Sequence, residues 1–156
     1  MWELLSRDGW QRVEWRPANV IHDEQAVIPM EMRLSGQFWD PSTLIETQEY
    51  KESLHYECKM PVILLSLDLI DALVSLLGTW LRDRAPFDVT LSPQTYQSLA
   101  FHLGQRDDIV SSADRPVCTL LYTSARIRWE WLLPVDHGCL ESFFAGLNEW
   151  RKSVVP

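Results

Sequence analysis

Leu54-His-Tyr-Glu-Cys-Lys-Met60, continued through Pro61-Val-Ile-Leu-Leu-Ser66 into Leu67-Asp-Leu-Ile-Asp-Ala-Leu-Val-Ser-Leu-Leu77-Gly-Thr-Trp80-Leu-Arg-Asp-Arg84, changes its hydrophobic period partway along. In the first part Leu54, Tyr56, Cys58 and Met60 alternate with His55, Glu57 and Lys59. That two-residue rhythm belongs to a strand with one dry face. In the second part Leu69, Ile70, Leu73, Val74, Leu77, Trp80 and Leu81 recur at spacings of three and four, which predicts an amphipathic helix. Ser66 stands at its N-cap position, Asp68 favours the positive N-terminal end of the helix dipole, and Arg82 and Arg84 favour the negative end. Pro86 stops it.

Outward from this junction the strand rhythm dominates. Val13 and Trp15 alternate with charged neighbours before Pro17, giving one strand in the opening segment. Ile28, Met30, Met32 and Leu34 give a clearer one, ending at Ser35-Gly36, and Pro29 suggests an edge position or a strand start. Residues 37–43, containing Trp39-Asp40-Pro41, read as a loop, and Ile45, Thr47 and Glu49 resume strand spacing. Beyond the helix come Phe87 to Leu91, Leu99 to Leu103, a polar connection from Gly104 to Arg115, and two strands over Val117–Thr123 and Ile127–Trp131. Asp136 can cap a final helix whose apolar face is Leu140, Phe143, Phe144, Leu147 and Trp150. Short links between strands and the lack of strict β-α alternation predict an α+β fold, an antiparallel β-sheet with two α-helices packed against it. No repeat or Gly/Ser-rich linker divides residues 1–156, so a single domain is expected.

Charge narrows the functional classes. Fourteen basic and 22 acidic side chains give −8, which disfavours nucleic acid and anionic membrane as partners. Residues 23–57 hold Asp23, Glu24, Glu31, Asp40, Glu46, Glu49, Glu52 and Glu57 against Arg33 and Lys51, and residues 85–114 hold Asp88, Asp107, Asp108 and Asp114 against Arg106. Such an excess reads either as a solvated surface that maintains solubility or as a face that steers a basic partner. No apolar run has the roughly 20 residues of a membrane span, and the first residues lack the pattern of a secretory leader. Three widely spaced cysteines, Cys58, Cys118 and Cys139, fit free thiols in a reducing compartment, so a cytoplasmic location is expected.

Catalytic motifs are missing from the sequence. There is no glycine-rich phosphate loop, nucleophile elbow or His-Glu-x-x-His, and neither a cofactor nor a metal is implied. Cys139 at the start of the last helix could have a lowered pKa with His55 or His102 as base, but the commoner role of such a cysteine is a small buried hydrophobe. A zinc site from His55, His102, His137 and the cysteines lacks the close ligand spacing zinc sites show. Asp107-Asp108 can be read as a metal-holding or acid/base pair, although adjacent acids in a polar loop are usually just solvated. Trp80, Trp129, Trp131 and Trp150 fall on apolar faces. Trp39 reads in two ways, as an aromatic anchor for a partner or as a lid over the sheet edge. With Asp40, Glu46, Glu49, Tyr50, Glu52, Asp107 and Asp108 it makes the residue mix expected where a basic protein docks, and these eight are the candidate partner-binding residues.

Met60-Pro-Val-Ile-Leu-Leu-Ser-Leu-Asp-Leu-Ile-Asp-Ala-Leu-Val-Ser-Leu-Leu, a strand running into a helix, resembles the middle of the WapI-type immunity proteins of bacterial polymorphic toxin systems. Arg126-Ile-Arg-Trp-Glu-Trp-Leu-Leu-Pro and Leu140-Glu-Ser-Phe-Phe-Ala-Gly-Leu-Asn-Glu-Trp are similar to their late strand and closing helix. The likeness spans residues 28–150 in order of elements. The tryptophan-rich late strand and the loops at 35–43 and 104–115 depart from it, so partner-binding residues do not transfer. The resemblance implies a non-catalytic cytoplasmic scaffold that binds and blocks a cognate toxin. Acidity adds the expectation of a basic, nuclease-type toxin domain, the alternative being an adaptor or assembly protein for another basic partner.

Overall fold

The computed structural model describes residues 1–21, 26–39, 53–92 and 96–154. Among these, strands Trp2–Leu5 (β1), Gln11–Pro17 (β2), Val27–Trp39 (β3), Ser53–Lys59 (β4) and Ile63–Ser66 (β5) form one antiparallel sheet. Helix Leu67–Asp83 (α1) leads to a second antiparallel sheet of Phe87–Thr90 (β6), Gln97–Gly104 (β7), Val117–Ser124 (β8) and Arg128–Pro134 (β9), and helix His137–Ser153 (α2) closes the chain. The antiparallel α+β class stands. The strands on either side of α1 belong to separate sheets, a division that periodicity alone does not specify.

The 13-residue β3 organises the first sheet. Its middle pairs with β2, its end with β4 and its start with β5, the registers including Trp15↔Met32, Gly36↔Tyr56 and Ile28↔Leu65. Pro29 lies near the start of the strand, where its carbonyl accepts from Ala18 N–H at 2.9 Å. The expected break at Ser35-Gly36 does not occur, and β3 continues through Trp39 into the segment read as a loop. Gly36 is there for packing rather than turning: the ring of Tyr56 occupies the space a Cβ at this position would fill. The opening segment holds two strands, not one, because β1 shows only a single outward residue, Glu3, between the buried Trp2 and Leu4. The strand expected around Ile45, Thr47 and Glu49 lies outside the described residues.

Alternation explains what each sheet buries. Met32 and Leu34 of the first sheet, with Met60 just past β4, face Leu99, Leu120, Tyr122, Trp129 and Trp131 of the second across a space of only about 10 Å³. Tyr56 and Trp131 meet edge to face at 5.1 Å. Elsewhere α2 stands between the sheets: Phe143 is fully buried, 5.8 Å from Trp15 and 6.0 Å from Phe101. Helix α1 buries Ile70, Leu73, Leu77 and Trp80 of the predicted stripe, adds Leu67 at its start, and leaves Leu69, Val74 and Leu81 half-buried along the edge of that stripe. Ser66 occupies the N-cap position without a side-chain capping bond, its backbone N–H being directed to Leu91 C=O as the end of β5. Asp136 does cap α2, accepting from Cys139 N–H at 3.0 Å.

Candidate functional site

The outward positions of the first sheet form a charged face. β1 to β4 place Glu3, Arg12, Glu14, Arg16, Glu31, Arg33, Glu57 and Lys59 there, four acids and four bases. Arg12 reaches Glu3 and Glu14, each at 3.4 Å, and separates two carboxylates that the register Glu3↔Glu14 sets opposite each other. Arg16 holds Glu14 at 2.9 Å, and Arg33 and Lys59 converge on Glu31, each at 3.4 Å. Burial by itself would raise the Glu14 and Glu31 carboxyls. For Glu14 the bonds from Arg16 and Arg12 outweigh it, and for Glu31 those from Lys59 and Arg33, so both are held below the usual carboxylate range. This face carries no net charge.

The predicted docking residues divide unevenly. Trp39 ends β3, paired in register with Ser53, while Asp40, Glu46, Glu49, Tyr50 and Glu52 lie outside the described residues. Asp107 and Asp108 sit in the connection from β7 to β8. Both Asp108 oxygens are gripped by Arg106, at 2.8 and 2.9 Å, and that hydrogen bonding lowers the Asp108 pKa despite the opposing effect of desolvation. Arg106 also reaches Glu130 at 3.0 Å, tying the connection to the outer face of the second sheet. Asp114 pairs with Arg84 at 3.1 Å, and Glu57 with Arg33 at 3.7 Å. The described carboxylates of the two acidic stretches are therefore largely partnered. The stretches 22–25 and 40–52 hold Asp23, Glu24, Asp40, Glu46, Glu49 and Glu52 against Lys51, five of the eight net negative charges, and join β3 at its opposite ends.

The thiols are not activated. Burial, and then the neighbouring Asp136 carboxylate, push Cys139 up to about 11, so the lowered pKa that a helix start allows is not realised; the thiol is half-buried against the core. Burial likewise raises Cys58 and the fully buried Cys118. Among the described residues no group of three or more His, Cys, Asp or Glu is placed to hold a metal, and no helix is long and apolar enough to cross a membrane.

Sequence reading missed one polar cluster. Arg84 follows α1 with a left-handed backbone, φ 58°, the only described non-glycine residue of positive φ. Its side chain folds back: Nη1 donates to Leu81 C=O at 2.6 Å and Trp80 C=O at 3.3 Å, and the guanidinium lies 4.7 Å from the centre of the Trp80 ring. These bonds answer the unpaired carbonyls of the helix end, a place usually given to glycine. Beside Arg84 opens a cavity of about 370 Å³, bordered by Trp80, Pro86, His102, Gln105 and Ser112. An arginine just before Ala-Pro signals a helix stop in sequence, but not a backbone that turns its side chain onto a tryptophan. The chain matches no family model, no curated protein and no solved structure, so the likeness to WapI-type immunity proteins rests on the quoted residues alone.

Proposed function

We propose that this chain is a non-catalytic binding protein that captures a basic protein partner, a toxin domain on the immunity reading, through carboxylates that flank a self-neutralised scaffold in the sequence. The observation that carries the proposal is the charge ledger: the first sheet's outer face cancels itself, while five of eight net charges belong to two short stretches that precede and follow β3 in the sequence. Opposite potentials accelerate encounter by about 10- to 10³-fold and lose that advantage in salt. Glu46, Glu49 and Glu52 are the carboxylates assigned to steering, with Trp39 and Tyr50 as aromatic anchors and Asp40, Asp107 and Asp108 as flanking acids.

The test uses the purified polypeptide encoded immediately upstream as probe. Association is measured at about 50 mM and about 500 mM salt with the parent protein and with the triple variant Glu46→Gln, Glu49→Gln, Glu52→Gln. The expected result is an on-rate at least about tenfold lower in high salt, and a triple variant that folds normally but associates slowly at both concentrations. A salt-independent on-rate, or a variant indistinguishable from the parent, rejects the steering role.

A further inference from the structure

We infer that the cavity beside Arg84 is a binding site for a small planar carboxylate, with Arg84 as counter-ion and Asp114 as the group the ligand displaces. Three features converge. The cavity, at about 370 Å³, lies within the range of small-molecule sites and joins apolar walls, Pro86 and Pro116, to the polar groups of His102, Gln105 and Ser112. Arg84, turned left-handed at the end of α1, brings its guanidinium to the border of this cavity. Its Nη1 is committed to the α1 carbonyls and its Nε to Asp114, while Nη2 has no partner among the described residues.

Asp114 makes the exchange inexpensive. Its side chain is 81% exposed, and an ion pair so exposed contributes little, so an incoming carboxylate can take its place on the guanidinium. A planar ligand is favoured because its flat body can lie between Pro86, Pro116 and the His102 ring while the carboxylate meets the fork of Arg84. Gly104 keeps the wall thin: a Cβ there would come within 3.3 Å of both His102 Nε2 and Pro86 Cβ. The site is independent of the partner-capture reading and survives its failure.

Benzoate is the probe, benzamide its uncharged counterpart, and the readout is the amide and indole NMR spectrum of the full chain. Benzoate is expected to give saturable shifts centred on the Trp80 indole and the Gly104, Gln105 and Ser112 amides, with benzamide at least about fivefold weaker. Asp114→Asn is expected to tighten benzoate about threefold and leave benzamide unchanged, and Arg84→Gln to remove the preference between them. Asp114→Asn alters an exposed side chain, so the test stands even if Arg84→Gln fails to fold. Absence of saturable benzoate shifts, equal affinity for the two probes, or an Asp114→Asn protein that binds benzoate no more tightly overturns the proposal.

Discussion

Glu14 and Trp15 are neighbours in β2, yet one strand step places them in different physical regimes. Trp15 is 1% exposed, stacked on Trp2 and packed on Phe143, and its indole N–H is buried without a partner among the described residues. Glu14 points outward among arginines that cancel its charge. The inner face holds the protein together through apolar burial strong enough to tolerate an orphaned donor. The outer face contributes little to stability, since exposed ion pairs are individually weak, and its value lies in presenting no net field.

The contrast breaks most readily at Phe143. Phe143→Ala removes the ring shared by Trp15 and Phe101, and is expected to cost about 3–5 kcal/mol in urea denaturation. A loss below about 1 kcal/mol would mean that the sheets close over the gap without α2. A smaller effect is expected where a side chain is added rather than removed. Gly36→Ala must push the Tyr56 ring off its neighbour and is expected to cost about 1–3 kcal/mol. Adding Tyr56→Ala to that variant should relieve the overlap, so the two changes together cost less than their sum; strict additivity would separate Gly36 from Tyr56.

The outer face sharpens the comparison with the smallest effect. Glu14 and Glu31 have folded-state pKa values below their ordinary 4.5. Their contribution to stability is therefore present above that value and is lost as pH falls through the lowered folded-state values. Between about pH 6 and about pH 3 the urea midpoint should fall, and the double variant Glu14→Gln, Glu31→Gln should fall less from a slightly lower start. An identical acid profile for parent and variant would remove these ion pairs from the stability account.

Much of the fold is legible along the chain. The α1 helix, the Asp136 cap and the alternation of β2, β3 and β4 are local patterns that survive folding, whereas β8, read with Val117, Thr119, Leu121 and Thr123 on its apolar face, turns Cys118, Leu120 and Tyr122 to the core instead. What escapes is what depends on distant partners. Ser35-Gly36 looks like a turn until Tyr56, twenty residues on, is found lying across the glycine. β1 is too short for its alternation to declare itself, and gains its place by pairing with β2 and packing on α2. For the candidate site, the surplus of carboxylates is a sequence property, but their neutralisation by Arg33, Arg84 and Arg106 is not. The Arg84 cavity is invisible for the same reason, because its walls come from a helix end, a strand and a loop far apart in the chain.

The length of β3 has a further implication for how the chain meets other molecules. Thirteen residues at a rise of about 3.4 Å set the ends of this strand roughly 40 Å apart. The ionic atmosphere of a cell fades over about 8 Å, so a charge carried at one end of this strand is screened from a charge carried at the other. A compact visitor near one end of β3 therefore meets the local charge of that end alone.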